Sequence, residues 1–503
     1  MYLGIDCGTQ GAKVLLWDSE SESCRASGYA PYQPISDRVG QQEQWPSDWL
    51  AAISRLVNEV VAQSGVEPGA VKGIGVSGQQ HGLILLDAAD QVIRPAKLWC
   101  DTETAPALEA FLAGFPARHH GKTVAHFIGT QIPVAYTLGK LLWVKAHEPD
   151  AYRRIAKIML PHDYINFWLT GEYRAECGDA SGTGYFDTHR RCWSQDVLDD
   201  IDPRLFGKMP PLLASRDLWG RLTPRAAAAL GLPAGVPVAS GGGDNMMSAI
   251  GTGNIEPGIL TMSLGTSGTL FTHADRQIDT AVCPDINAFC SSSDGWLPLV
   301  STMNVANAIN AYRDILDIAL ADFDAVLSAS RPGAGGLLSY PWFNGSRLPN
   351  RPDATASLSG ITTRNFTKPN ILRSVVEGVT FKLCKGIDIF KQCGLTFEQM
   401  RVIGGGAKSR LWCQMIADIS GIEVIRPAVS DAGALGAAWQ AHWCCENAGD
   451  KAAPLRDRLP ASLIDSRDDV FTPHGPSFAL YRGFYQRFHE NMAYWPSRCQ
   501  GTL

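Results

Sequence analysis

Apolar and polar positions change period along this chain in a way that separates strands from helices. Residues 2–6, Tyr-Leu-Gly-Ile-Asp, read as a buried strand. The tetrad Gly8-Thr9-Gln10-Gly11 follows, then a second β-rich run from Ala12 to Asp18. Two such runs around a glycine-containing tetrad predict a hairpin. Residues 71–77 and 83–87 read as further strands. Helical spacing of apolar positions predicts helices over 47–62 and 138–147, the second opening a helical stretch that ends near Pro161. Strands alternating with amphipathic helices indicate an α/β architecture.

The second half repeats the alternation, with helices predicted near 303–319, 367–394 and 408–420. A Pro- and charge-rich stretch, about 449–477, precedes a last helix from Phe478 to Tyr494, which could pack on either half. Gly- and Pro-rich sequence around 231–237 and the run Gly241-Gly242-Gly243-Asp244 mark a shift in composition. Two domains are expected, 1–244 and 245–503. Thr261 to Phe271 again reads strand, Gly-Thr-x-Gly turn, strand. The turn at Gly265 lies about half a chain beyond the turn at Gly8. Such a repeat predicts two similar domains, each presenting a hairpin tip to one shared ligand.

Composition narrows the field without choosing within it. The chain has 503 residues, 45% hydrophobic and 19% charged, with a net charge of −6. These values exclude disorder and fibre, and a mildly acidic balance leaves no footprint for nucleic acid. No apolar run reaches the roughly 20 residues that span a bilayer, so no membrane partner is expected. Thirteen cysteines at irregular spacing form no Cys-x-x-Cys pair. Ordinary thiols in a reducing, cytoplasmic location are expected. The adjacent His119 and His120 have no carboxylates at metal-site spacing.

Glycine, at 50 residues, is over-represented, and two of its patterns mislead. Gly73-Ile74-Gly75-Val76-Ser77-Gly78 satisfies the dinucleotide fingerprint, but it sits within a strand and opens no helix. Gly121-Lys122-Thr123 resembles the end of a phosphate loop, yet Pro116 stands where the first glycine belongs. The Gly-Thr-x-Gly turns are different. Glycine lets backbone amides approach phosphate oxygens, and the neighbouring hydroxyl adds a donor. Asp6 before the first turn suits a hydrated Mg²⁺, and Lys13 supplies positive charge. With Gly404-Gly405-Gly406-Ala407 after a further strand, these turns suggest an ATP site.

These segments resemble the actin-like ATPase superfamily and, within it, the FGGY family of carbohydrate kinases. The resemblance runs from Gly4 to Trp439. It is carried by Gly4 to Thr9, Ser77 to Gly82, Leu160 to Tyr164, Gly178 to Thr183, Gly241 to Asn245, Ser263 to Gly268 and Gly404 to Ser409. It implies two actin-like, ribonuclease H-like α/β domains with a cleft that closes over the substrate. It also implies ATP-dependent, Mg²⁺-assisted phosphorylation of a small sugar, D-xylulose first, with ribulose, another ketose or a polyol as alternatives. An actin- or chaperone-like ATPase without a sugar substrate is the rival from another class. Members of the family are often homodimers.

Carried onto this sequence, the resemblance makes Asp244 the catalytic base, although Asp244 alone reads equally well as a cap for the helix starting at Asn245. Asp6 is the other catalytic candidate and the expected Mg²⁺ residue, with Asp244 a second possible ligand. Thr9, Gln10 and Lys13 are expected around the transferred phosphate, with Gly265, Thr266 and Ser267 opposite. Gly405, Gly406 and Arg410 are expected along the nucleotide. Gln80 and His81 are the leading sugar contacts, followed by Trp99, Asp101 and Asn245. Three positions depart from the common pattern: Gln80 where Met is frequent, Glu103 where Arg is frequent, and the 345–349 segment, which lacks the usual Glu and Thr.

Overall fold

Backbone pairing bears out the two hairpins and extends the repeat to a whole sheet. A computed structural model describes residues 1–343, 345–351, 354–428, 431–447, 453–460 and 469–494. Tyr2–Cys7 pairs antiparallel with Gly11–Asp18, and that strand with Ser23–Pro31. On its other edge Tyr2–Cys7 pairs parallel with Gly73–Gly78, which continues to Pro237–Ala239 and then antiparallel to Leu218–Arg221. The later sheet follows the same plan. Gly258–Leu264 pairs antiparallel with Gly268–Thr272, and that strand with Trp296–Thr302. Gly258–Leu264 also pairs parallel with Phe397–Ile403, which leads to Glu423–Ile425 and antiparallel to Val470–Phe471.

The two tips are not superimposable in register. Cys7 faces Ala12 across the first turn, whereas Leu264 faces Gly268 across the second. The second turn is thus one residue tighter, despite the shared Gly-Thr-x-Gly.

The compact units do not follow a single cut at 244/245. The first comprises Met1–Ile255, His273–Pro298 and Asp431–Ile464; the second comprises Glu256–Thr272, Leu299–Ser430 and Asp465–Leu503. Close packing of two helices explains the first unit. The helices Asp244–Gly251 and Ala432–Glu446 approach backbone to backbone. A Cβ at Gly251 would lie 1.9 Å from the Ala432 carbonyl oxygen, and one at Gly436 1.8 Å from that of Met247. The Ala432–Glu446 helix then lies on the first sheet, where a Cβ at Gly4 or Gly75 would lie 1.9 Å from the carbonyl oxygen of Ala434 or Ala437. The far side of that sheet buries Trp49, Ile53, Val57 and Val60 of the Pro46–Ser64 helix with Val14, Leu16 and Ile74.

Two expectations fail for physical reasons. The helical stretch beginning near 138 does not reach Pro161. It runs Thr137–His147 and restarts at Pro149–Arg154, since a residue before proline is pushed out of the helical region. Lys157–Met159 is then a strand paired with Ile84–Leu86, a tertiary partner that no local period reveals. Among the described residues ten cysteines are free, but Cys283 and Cys393 are disulfide-bonded, so the all-thiol expectation does not hold there.

The last helix, Gly475–Tyr494, belongs to the second unit, where Phe488 stacks on Tyr340 at 4.7 Å between ring centroids. Of the 449–477 stretch, residues 449–452 and 461–468 lie outside the described residues. Among the described residues no helix is long and apolar enough to cross a membrane.

Because the obstacle at Gly75 is backbone of another helix, Gly75→Ala is expected to cost at least about 3 kcal/mol in chemical denaturation. A loss under about 1 kcal/mol would contradict the close-packing account.

Candidate active site

The first hairpin places Asp6 between two cross-strand neighbours, Lys13 and Ser77. Ser77 Oγ donates to Asp6 Oδ1 at 2.7 Å. Burial raises the Asp6 pKa, while the Ser77 hydroxyl and the Lys13 charge oppose the rise. A Cβ at Gly433 would lie 3.0 Å from Asp6 Cγ, so glycine keeps that side of the carboxyl open. Lys13 is paired: its Nζ lies 2.9 Å from Asp431 Oδ1. Burial disfavours that ammonium, yet Asp431 outweighs it and holds the Lys13 pKa above its usual value. At the tip, Thr9 Oγ1 accepts from Trp99 Nε1 at 2.9 Å, and the Gln10 side chain is exposed. Trp99 thereby fixes the hydroxyl of the turn.

Asp244 is the first residue of the Asp244–Gly251 helix, and Gly243 occupies the cap position in extended conformation. Asp244 Oδ1 accepts from the Asn245 backbone N–H at 2.8 Å and from Asn245 Nδ2 at 2.9 Å. Burial pushes the Asp244 pKa up to about 7, and the charges of Asp6 and Asp179 push the same way. A carboxyl poised there exchanges its proton near neutrality, as a general base must.

Asn245 Nδ2 also donates to Gln80 Oε1 at 2.8 Å, so Asp244, Asn245 and Gln80 form one chain. His81 follows in left-handed conformation, φ 66°, with its ring centroid 4.8 Å from Tyr136 and 5.9 Å from Phe289. A Cβ at Gly182 would lie 2.2 Å from His81 Cε1, so the glycine of the 178–183 motif admits this ring.

Asp101 is placed differently from the other sugar candidates. It is fully buried, and its Oδ2 accepts from Gln42 N and Lys97 Nζ. Burial raises its pKa, against the Gln42 N–H and the Lys97 charge. Glu43, Asp101 and Glu103 converge closely enough to suggest a metal, but the buried Lys97 ammonium is ion-paired to all three. Its Nζ also sits 3.8 Å from the centroid of the Trp143 ring. Glu103, one of the departures noted in the sequence, is thus a partner of Lys97 and of Arg38.

In the second unit, the Gly265 and Thr266 carbonyls accept from Ala306 N and Val305 N, which seats the tip on the start of the Ala306–Ile315 helix. Next to that helix lies a cavity of about 470 Å³ lined by Ala306, Ile309, Asn310, Gly405, Gly406 and Trp412, among others. That volume suits a small ligand. Gly404, at φ 88°, turns the chain there, and a Cβ at Gly406 would meet the Trp412 ring at 2.5 Å. Arg410 is not among the lining residues. Its guanidinium pairs with Asp469 and lies over Phe471.

Sequence reasoning missed Ser77 and Asp431 as partners of the first hairpin, and Gly433 as the gap beside Asp6. It quoted His162 and Asp179 only as family signature, yet their side chains meet at 2.6 Å behind Gln80. A partner 418 positions away, as Asp431 is from Lys13, leaves no local signal, whereas His162 directly follows the apolar run from Ile158 to Pro161.

The comparisons place the chain. Residues 1–251 match the N-terminal domain, and residues 260–445 the C-terminal domain, of the FGGY family of carbohydrate kinases. The chain belongs to this family, and its fold is the actin-like ATPase fold. It is 43% identical to a xylulose kinase of Haemophilus influenzae, over 88% of this chain and 90% of that protein. Identity to a xylulose kinase of Escherichia coli is 33%, over 98% of this chain and all of that protein. A solved xyloylose kinase from Brucella ovis superposes with a TM-score of 0.88 at 31% identity, covering 99% of both chains.

Lys97→Met leaves the carboxyls of Glu43, Asp101 and Glu103 facing one another, with Arg94 still beside Glu43 and the exposed Arg38 beside Glu103. A loss of at least about 3 kcal/mol is expected near pH 8. It should shrink toward pH 5 as the carboxyls take up protons, and a pH-independent loss would contradict the ion-cluster account.

Proposed function

We propose that this chain transfers the γ-phosphoryl group of ATP to the 5-hydroxyl of D-xylulose, giving xylulose 5-phosphate and ADP. The observation that carries the reading is Asp244: a carboxyl raised to about 7, held by Asn245, on the Gly241–Asn245 segment of a carbohydrate kinase. Similarity to proteins named xylulose kinase supports D-xylulose as the acceptor. ATP and the free sugar fit a cytoplasmic enzyme, with no role for nucleic acid or membrane.

Phosphoryl transfer through a loose transition state asks the protein for position and charge rather than covalent chemistry. Asp244 orients the acceptor hydroxyl and takes its proton as the O–P bond forms. Asn245 fixes the rotation of that carboxyl, and Gln80 and His81 bind the sugar hydroxyls. The amides and hydroxyls at Thr9 and at Gly265 to Ser267 receive phosphate oxygens. The Gly405–Gly406 cavity receives the adenosine end of the nucleotide. Asp6, with one open carboxyl edge beside Gly433, fits a hydrated Mg²⁺, which prefers one or two carboxylates plus phosphate oxygens. When bound there it would neutralise charge on the triphosphate. Lys13, already paired with Asp431, contributes field rather than a free ammonium.

A second reading keeps the reaction and changes the acceptor to ribulose, another ketose or a polyol. It is favoured by Gln80, which stands at the leading sugar contact where relatives frequently have Met. ADP release measured across a panel of sugars decides between the two: D-xylulose is expected to give the highest kcat/KM, and silence with D-xylulose would refute the choice. Asp244→Ala should lower turnover at least 1000-fold while ATP affinity stays within about threefold. Retained turnover would remove Asp244 as base.

The proton acceptor must be ionised to act, and its pKa is raised. The kcat/KM for the sugar should therefore climb with pH through about 7 and level off above. A profile flat down to pH 5 would contradict this.

A further inference from the structure

The tip of the first hairpin is held by side chains to which the reaction gives no direct task. Gly8, Thr9 and Gln10 lie between the two strands, and the carbonyl of each accepts from a side chain. Gly8 O accepts from the Tyr32 hydroxyl at 2.6 Å, Thr9 O from Gln44 Nε2 at 2.8 Å, and Gln10 O from the Tyr29 hydroxyl at 3.0 Å. Tyr29 is largely exposed, whereas Tyr32 and Gln44 are buried.

Gln44 sits on a short ribbon in which Glu43–Gln44 pairs with Ala96–Lys97, so the Glu43–Lys97 ion pair braces it. Its amide can face only one way. Oε1 accepts from Trp49 Nε1 at 2.9 Å and from Gln79 Nε2 at 3.1 Å, and an indole N–H can only donate. The NH₂ end is therefore committed to Thr9 O. The Tyr32 hydroxyl is committed in the same way. A carbonyl can only accept, so the phenolic proton goes to Gly8 O, and the Cys7 thiol 3.2 Å away is left to donate to the Tyr32 oxygen.

In a trans peptide the C=O and N–H point in opposite directions. Both peptides of the tip are trans, since Leu348–Pro349 is the only cis bond among the described residues. Holding Gly8 O thus turns the Thr9 N–H away from Tyr32, and holding Thr9 O turns the Gln10 N–H away from Gln44. Neither N–H donates to another group among the described residues. The Thr9 hydroxyl accepts from the Trp99 indole, so its own proton is left to donate elsewhere.

We infer that Gln44 and Tyr32 are positioning residues for the transfer: by holding the carbonyls of Thr9 and Gly8 they aim two backbone N–H groups at the oxygens of the transferred phosphoryl group. Donors fixed in advance need no reorientation as charge develops, whereas a released peptide can rotate and present its carbonyl oxygen to the phosphate. The kinetic consequence rests on the phosphotransfer reading above, and the consequence for the backbone does not.

Two variants test the inference. Gln44→Met keeps the volume and removes the donor, while Tyr32→Phe removes only a hydroxyl. With whichever sugar of the panel supports turnover, kcat is expected to fall at least about tenfold in the first and about fivefold in the second, with the sugar KM within about twofold. Nucleotide binding discriminates further, because the tip faces the transferred group and ADP lacks it. In calorimetric titrations with Mg²⁺, each variant is expected to bind the β,γ-imido analogue of ATP at least about fivefold more weakly than the unaltered protein does, and ADP within about twofold. A merely structural role would weaken both nucleotides alike, or neither. Either result, or an unchanged kcat in both variants, overturns the inference.

Should Gln44→Met not fold, Tyr32→Phe carries the same readings with its ring left in place. A crystal structure of whichever variant folds reads the backbone without any turnover. The released carbonyl is expected to leave the direction it has in the unaltered protein, and an unmoved carbonyl overturns the inference. If the unaltered protein passes phosphate to no sugar of the panel, the proposed function fails, and the crystallographic reading still decides this inference.

Discussion

Backbone contact between the Ala432–Glu446 helix and the first sheet is the constraint on which the rest of the first unit depends. Carbonyl oxygens of Ala434 and Ala437 occupy the space where side chains at 4 and 75 would begin. The Asp244–Gly251 helix meets the same helix with equal intimacy through Gly251 and Gly436. Packing at this distance brings Asp431 to Lys13 and sets Gly433 beside Asp6. It also brings the start of the Asp244–Gly251 helix within electrostatic reach of Asp6. Close packing and chemistry are the same feature here: larger residues on these faces would push the helices out and disperse the carboxyls.

The electrostatics divide along similar lines. Asp6 and Asp244 are both raised by burial, and the charge of Asp6 raises Asp244 further. Such a pair is poor for stability and well suited to accept a cation or a proton. By contrast, Glu43, Asp101 and Glu103 are tied down by Lys97, with Arg94 also on Glu43. The chain thus holds two acidic groupings with opposite characters. One is neutralised internally and braces the fold, while the other is eased by Lys13 and Ser77 at Asp6 and by Asn245 at Asp244.

Much of the fold was legible because its signals are local. The repeated Gly-Thr-x-Gly turns, a short-range pattern, pointed to two like domains, and both sheets do follow one strand order. Rejecting a dinucleotide loop at Gly73–Gly78 rested on its lying within a strand, as it does. What stayed hidden depends on distant partners. Lys157–Met159 reads as helix until Ile84–Leu86 is brought beside it. Asp101 looks like an open sugar contact until Lys97 and Glu43 converge on it, and Arg410 looks like a nucleotide contact until Asp469 claims it. The excess of glycine was legible as a count but not as a purpose. Gly4, Gly75, Gly251 and Gly436 serve helix packing, Gly182 and Gly243 admit His81 and Gln80, and Gly405 and Gly406 line the cavity of the second unit.

The central claim is that this chain moves phosphate onto a sugar rather than onto water or into a conformational cycle. The most direct measurement follows the label from γ-labelled ATP in the presence of D-xylulose and Mg²⁺, separating sugar phosphate from inorganic phosphate. The account predicts nearly all the label in xylulose 5-phosphate, one equivalent per ADP, with slow release of inorganic phosphate when sugar is withheld. Label appearing chiefly as inorganic phosphate, at a rate indifferent to the sugar, would contradict it.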